Sequence, residues 1–408
     1  MRIPVPNPVG LPLSEARKKL ADYHCNVEYR KTHFGLPNTV LDYAIDAEKE
    51  CVHLLVSVPE DESFTLDPAH VVSVTKIGKI TGKSGFNERL MNEAGVGSTD
   101  LGIPVDLGDE IAFLYGDSFS GPDVNQGTWN SNFMALADFQ NWEKGMYFSR
   151  LVTGSNGKVK PLFQGQHDEY LPNNLDIQNK KEITKIPTGG IQVGSSLYVY
   201  GMSVRYWGKP GEWFVTENAL WKADIHHLDE FQKTGLSFSE ADYPFAGQLF
   251  PFLSSPSSPY IHLLAIPGGR FGQLSLLRVK RDEIENIDAY EVLMKKDCYV
   301  PIKECRQQLP YSILPGVNAS EPSIAYDEYL GEWLISMISL EGLKLYHAKD
   351  FQGPFRESYL ILTAKECPQF YGGFLSPLLM RNHGQKVYLQ VSQWSPIYNT
   401  SLYEVAFR

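Results

Sequence analysis

The feature that most narrows the fold is a rhythm. From about residue 71 to the C-terminus, apolar runs are short, at 111–115, 196–202, 260–266, 274–279, 333–338 and 387–392. Clusters of Gly, Pro, Asn and Asp separate them, residues that either permit positive φ, fix φ or bond their own backbone. No 3.6-residue apolar period is sustained long enough for a long amphipathic helix. Such a stretch builds neither a helix bundle nor a βαβ sheet. It predicts an all-β sandwich, barrel or propeller. Aromatic residues make up 12% of the chain, and many lie in or beside these runs.

A loose repeat selects the propeller. LYVYGMSVRYWG (197–208), IHLLAIPGGRFG (261–272), GEWLISMISLEG (331–342) and VYLQVSQWSPIY (387–398) each join a strand to a polar loop and a second strand. Their starts lie roughly 55–70 residues apart, the length of a four-stranded blade with generous loops. With the run near residue 111, this predicts a five-bladed β-propeller over 71–408 around a narrow central funnel.

Residues 1–58 read differently. After an extended start at Val5 and Pro6, Leu13, Ala16 and Leu20 recur at helical spacing, with Ser14 expected to cap the helix and Glu15 to sit in its first turn. A breaker at 35–37 and a strand at 51–58 follow, so this part is expected to be a small α+β domain. The polar stretch that begins at 59–63 marks a linker over 59–70.

Composition excludes some functions. With 48 acidic against 37 basic residues, the net charge is −11. A phosphate backbone or an anionic membrane wants a basic surface, so nucleic acid is excluded as the main partner. No apolar run reaches the length of a membrane span, and the N-terminal residues lack the apolar core of a signal peptide. Cys25, Cys51, Cys298, Cys305 and Cys367 form no metal-binding spacing, and unpaired thiols are expected; bridges 25–51 or 298–305 are the alternative. No cofactor or metal site is legible.

Several stretches together resemble a known family: STDLGIPV (98–105), FLYGDSF (113–119), WNSNFMA (129–135), PTGGIQVGSSLYVYGMSVRYWG (187–208), PGGRFG (267–272), SEPSIAYDEYLGEWL (320–334), YGGFLSP (371–377) and SQWSPIYNTSLYEV (392–405). Their order is similar to that of the domain of unknown function 4185 family, grouped as glycoside hydrolase family 183, the endo-D-arabinanases. The resemblance implies internal cleavage of D-arabinan, the furanose polymer of mycobacterial-type arabinogalactan and lipoarabinomannan. It also implies an extracellular or cell-envelope location. Ser376 and Phe355 stand where the family often has histidine and tryptophan. VPNPVGLPLSEARKKL (5–20), NVEYR (26–30) and LLVSVP (54–59) resemble a PASTA module, which implies a cell-wall glycan partner, although residues 47–50 lack the expected glycine turn. Hydrolysis of another furanoside, or glycan binding without catalysis, are the alternatives.

Glycoside hydrolysis needs two carboxyl groups flanking the scissile bond. Asp117 follows an apolar run and Asp100 precedes its neighbour, so a hairpin between them brings both to one mouth; both match the family's motif. A turn aspartate bonding nearby backbone is the plainer reading of Asp117. Glu321 precedes a strand in another blade and is a third candidate, or a loop glutamate paired with a cation. Arg205 and Arg270 follow strand ends and suit sugar hydroxyls, a carboxylate or a structural ion pair. Trp207, Tyr371 and Trp394 are candidate sugar platforms or blade packing. Thr188 and Gly189 lie in a turn that permits close approach, and Asn132 is a candidate hydroxyl partner. No residue stands out as a dedicated nucleophile, which favours inversion.

Overall fold

The structure is a computed structural model that describes residues 8–9, 11–30, 40–46, 51–57, 71–164, 182–208, 211–339 and 341–408. The extended start at Val5 and Pro6, the breaker at 35–37, the turn at 47–50 and the linker over 59–70 lie outside the described residues.

The N-terminal part is one helix on a small mixed sheet. Helix α1 (Leu13–Lys19) precedes β1 (His24–Arg30), β2 (Val40–Asp46) and β3 (Cys51–Ser57), ordered β1-β3-β2. β1 runs parallel to β3, and β2 antiparallel. Ala16 and Leu20 are sealed against Val52, Leu54 and Val56, so the helical spacing read from sequence is the buried face. The cap differs from expectation: Pro12 occupies the N-cap and Ser14 lies inside the first turn. Proline fixes φ before the helix and loses no hydrogen bond there, and its carbonyl accepts from the amides of Glu15 and Ala16.

Five antiparallel sheets follow. β4 (Val71–Lys79) and the short α2 (Glu88–Glu93) precede the first, made of β5 (Ser98–Asp106), β6 (Glu110–Phe119), β7 (Trp129–Asn130), β8 (Phe133–Asp138) and β9 (Arg150–Leu151). The second is β10 (Thr184–Val193), β11 (Ser196–Trp207), β12 (Trp213–Asp224) and β13 (Gln232–Ser239). The third is β14 (Gln248–Phe252), β15 (Tyr260–Ile266), β16 (Ser275–Lys280), β17 (Glu291–Lys295) and β18 (Cys298–Pro301). The fourth is β19 (Ser323–Asp327), β20 (Glu332–Ile338), β21 (Leu343–Ala348) and β22 (Glu357–Leu362). The last joins β23 (Phe370–Phe374), β24 (Met380–Arg381), β25 (Lys386–Gln393) and β26 (Asn399–Phe407) to β4, which pairs with the edge of β26.

The repeated segments of the sequence are second strands of these sheets: β6, β11, β15, β20 and β25. Their burial explains why they stood out. All of β6 after Glu110 is buried, so it reads as a continuous apolar run rather than an alternation. The first strands β5, β10, β14 and β19 neighbour one another in that order, and β23 lies against β20 and β5. This row of first strands positions the site. All five cysteines are free thiols. Among the described residues, no helix is long and apolar enough to cross a membrane.

Candidate active site

The N-terminal ends of the first strands bring acidic and aromatic groups together. Asp100 sits near the start of β5 and Asp117 near the end of β6. The pairing slips here: Thr99 faces Ser118 while Leu101 faces Tyr115, so one β5 residue opposes two on β6. Leu101 and Gly102 both take positive φ, 65° and 93°. For leucine this conformation costs about 1–2 kcal/mol. It is pinned by Ser392 of β25, whose hydroxyl accepts from the Leu101 amide at 2.7 Å and donates to its carbonyl at 3.2 Å. A side chain on Gly102 would strike Gln390. The kink turns the Asp100 carboxylate toward β6, where a Cβ on Gly116 would lie 2.4 Å from its Oδ1.

Each carboxylate has its own partners. The Tyr371 hydroxyl donates to Asp100 Oδ2 at 2.6 Å, and the Tyr398 side chain also faces this carboxylate. Asp100 Oδ1 is shielded from solvent and has no hydrogen-bond partner. Asp117 Oδ1 accepts from Thr184 Oγ1 at 2.7 Å and from Trp129 Nε1 at 2.9 Å. Burial pushes the Asp100 carboxyl up to about 6, against the Tyr371 and Tyr398 hydroxyls. Burial first, and then the negative Asp100, push Asp117 up to about 7, against its two donors. Desolvation disfavours the charged form, and the neighbouring anion adds to it.

A second cluster adjoins the first. Arg270 lies after β15 and Glu321 before β19, joined through a backbone bridge in which the Ala319 amide donates to the Gly272 carbonyl at 2.7 Å. Arg270 Nε donates to Glu321 Oε1 at 3.1 Å and Oε2 at 3.0 Å, and Nη2 also donates to Oε1. The guanidinium lies between two rings, 5.0 Å from the centre of Trp213 and 5.0 Å from that of Tyr371. Trp207 meets Trp213 edge-on at 6.0 Å. A chain of contacts therefore runs from Glu321 through Arg270 and Tyr371 to Asp100.

Among the other sequence candidates, Asn132, Thr188 and Gly189 are engaged by neighbouring segments. Asn132 is fully buried; its amide donates to the carbonyls of Phe163 and Lys185 at 2.9 and 3.0 Å, and its oxygen accepts from the Leu162 amide at 2.7 Å. Thr188 Oγ1 donates to the Leu249 carbonyl at 2.8 Å, and a Cβ on Gly189 would meet Pro251 at 2.5 Å. These two hold β10 to β14. Arg205 is 3.6 Å from Glu240 and lies over Phe214. Trp394 is half exposed, its backbone amide bonded to Gln369. Trp129, Thr184, Trp213 and Tyr398 received no role from sequence reasoning. Trp129 opens the WNSNFMA stretch and Tyr398 lies inside SQWSPIYNTSLYEV, so both were within signals already noted. Thr184 and Trp213 carried no such signal.

A cavity of about 760 Å³ does not contain these acids. Val105, Ile191, Phe250, Phe252, Tyr326 and Trp333 are among its walls, and they lie toward the C-terminal ends of first strands or on the turns and strands beside them. Among the described residues, no cluster of His, Cys, Asp and Glu suits a metal ion.

A family model described as Domain of unknown function (DUF4185) matches residues 87–404, so the matched span contains the whole acid cluster. Among curated proteins, none matches the sequence. A candidate hydrolase of Bacteroides ovatus ATCC 8483 has a TM-score of 0.53 at 11% identity, covering 78% of this chain and 87% of that one. An exo-β-1,3-galactanase of Phanerochaete chrysosporium gives 0.45 at 11% identity, with coverage of 81% and 63%. An arabinanase of Bacillus subtilis gives 0.37 at 10% identity, with coverage of 75% and 94%. At these identities the first of the three is a likeness of fold.

Proposed function

The chain belongs to the DUF4185 family, and we propose that it is a glycoside hydrolase that cleaves a furanose polysaccharide internally, with D-arabinan as substrate. The observation that carries this reading is the Asp100–Asp117 pair: two carboxyls at one strand end, both pushed toward neutrality, each with separate hydrogen-bond donors. Glycoside hydrolysis needs one carboxyl protonated and one charged at the same pH, which is what such a pair supplies. The D-arabinan substrate follows from the resemblance of motifs that here carry Asp100, Asp117, Arg270, Glu321 and Tyr371.

The five sheets are read as five blades of one propeller over 71–408, with the acid cluster at one mouth of its centre. The order of contact among the first strands supports this. Residues 1–58 are read as a PASTA-like module that holds the enzyme near cell-wall glycan, with 59–70 as the linker; the helix on a three-stranded sheet supports the first part. The protein then acts at the cell envelope or outside the cell. The mechanism is read as inverting, with Asp100 and Asp117 divided into one base and one acid; retention would use the same two carboxyls, the charged one attacking the anomeric carbon.

Digestion of purified D-arabinan tests the function. A ladder of oligosaccharides should appear early, and L-arabinan and xylan should be poor substrates. Early release of free arabinose alone would show an exo-acting pocket. Retention of the polymer without new reducing ends would show a binding protein. NMR of the first-formed anomer decides between inversion and retention.

A further inference from the structure

We propose that Tyr371 and Arg270 are positioning residues that hold Asp100 as the charged member of the acid pair and leave the proton on Asp117. This rests on the hydrolase reading and divides the roles within it. The groups that face Asp100 come from several elements: Tyr371 of β23, Tyr398 before β26, Arg270 after β15, Glu321 before β19 and Asp117 of β6. One of these, the Tyr371 hydroxyl, bonds to its carboxylate at 2.6 Å, and the Tyr398 hydroxyl also favours its charged form. A hydroxyl donor favours the charged form of its acceptor. Asp117 has two donors of its own, both on Oδ1, but the Thr184 alcohol at 2.7 Å and the Trp129 indole at 2.9 Å are less acidic than the Tyr371 phenol at 2.6 Å from Asp100, and its charged neighbour is the Asp100 carboxylate. When the pair carries one proton, that proton therefore rests on Asp117.

Arg270 acts on Asp100 through a ring. Its charge pulls the Asp100 carboxyl down while that of Glu321 pushes it up, so the two fields oppose each other there. What remains is geometry. Glu321 fixes the guanidinium through both carboxylate oxygens, and the Arg270 amide donates to the Gly211 carbonyl at 2.8 Å. The planar cation then lies between Trp213 and Tyr371 and fixes the tyrosine ring, which aims its hydroxyl at Asp100 Oδ2. Arginine suits this stack in a way lysine does not, because its charge is planar. Glu321 is thus an anchor, with both oxygens engaged.

In the step this serves, Asp100 takes a proton from water as the water oxygen bonds to the anomeric carbon. The bond from that carbon to the leaving oxygen breaks, and the leaving oxygen takes the Asp117 proton. One water is consumed; the pair ends with its proton on Asp100, and exchange with solvent resets it.

The test uses the full chain. Tyr371→Phe keeps the ring in the stack and removes the O–H. The acidic limb of the kcat/KM profile should move up by about one to two pH units, the worth of a hydrogen bond to a charged group, with little change in KM. Arg270→Lys should move it the same way by less. In the double variant the limb should move no further than in Tyr371→Phe alone, because the arginine acts through the hydroxyl. An unmoved limb in Tyr371→Phe, or shifts that add in the double variant, overturns the proposal. A ¹³C NMR titration of the Asp100 carboxyl, in chains whose circular dichroism matches the wild type, reads the same effect without substrate. Its midpoint should rise in Tyr371→Phe, and an unchanged midpoint overturns the positioning role. A wild-type chain that releases no reducing ends sinks the hydrolase reading, and the NMR titration still decides the role of Tyr371.

Discussion

The two ends of the first strands are built from the same backbone and differ in almost everything else. At the N-terminal ends, Asp100, Asp117, Glu321 and Arg270 lie close together, held by hydroxyls and aromatic rings. Toward the other end, Phe250, Phe252 and Trp333 wall a cavity of about 760 Å³ that reaches back to Pro322 beside Glu321, and its charged groups, Asp106 and Glu328, are both acidic. The apolar space is the more conspicuous one, but the chemistry proposed here uses the end where two carboxyls are buried with their own donors. Volume shows where a ligand fits. Titratable groups shifted from their ordinary range, with named causes, show where a reaction is supported.

The largest effect should separate the two ends. Asp100→Asn should lower turnover by a factor of about 10²–10⁴, the usual worth of a positioned acid or base, with the fold intact by circular dichroism. Tyr326→Ala at the other end should leave turnover within about twofold. Comparable losses would mean that the far cavity also takes part.

The next effect is steric. Gly116→Ala places a methyl against Asp100 Oδ1, where its Cβ would stand 2.4 Å away. Displacing a reacting group by about 1 Å costs on the order of 100-fold. Turnover should fall by about 10- to 100-fold with KM little changed. Wild-type turnover would show that the Asp100 position is not demanding.

A smaller effect concerns stability and pH. The Asp117 carboxyl stands at about 7 in the fold, raised by burial and by Asp100, against about 3.9 in an unfolded chain. Below about pH 4 it is protonated in both states and costs nothing. As pH rises toward 7 the unfolded chain ionises freely while the folded one resists, so stability falls across that window. Asp117→Asn should therefore raise the Tm at pH 8 and leave it nearly unchanged at pH 4. Equal shifts at both pH values would contradict the cause assigned to the raised carboxyl. No such gain is expected from Glu328→Gln at the other end, where the carboxylate is exposed.

The smallest effect is expected from the N-terminal part. A chain that lacks residues 1–65 should hydrolyse soluble substrate within a few fold of the full chain. One that starts at residue 85 loses β4 and its pairing with β26, and should melt lower. Equal melting temperatures would show that β4 does not hold the last sheet.

The sequence made the strand rhythm legible because second strands such as β6 are buried along nearly their whole length. The acids were legible through motifs. Their partners were less so, because the contacts are remote in the chain: Tyr371 reaches Asp100 across 271 positions, and Arg270 reaches Glu321 across 51. Asn132 was a candidate hydroxyl partner in sequence, and Thr188 belonged to a turn expected to permit close approach. The structure engages them with carbonyls of neighbouring segments, as buried polar groups require. Trp213 gave no signal, because its role depends on Arg270 arriving from the next sheet. Ser14 was misread as a cap because residue type was weighed without the proline two positions earlier.

The most direct test of the central claim is Asp117→Asn measured beside the wild type on purified D-arabinan, with reducing ends and glycan affinity followed in the same preparation. The account predicts that the wild type releases a ladder of oligosaccharides, while the variant binds the polymer with similar affinity and loses turnover by at least about 100-fold. A variant that cleaves at the wild-type rate, or a wild type that binds D-arabinan and releases nothing, would contradict it.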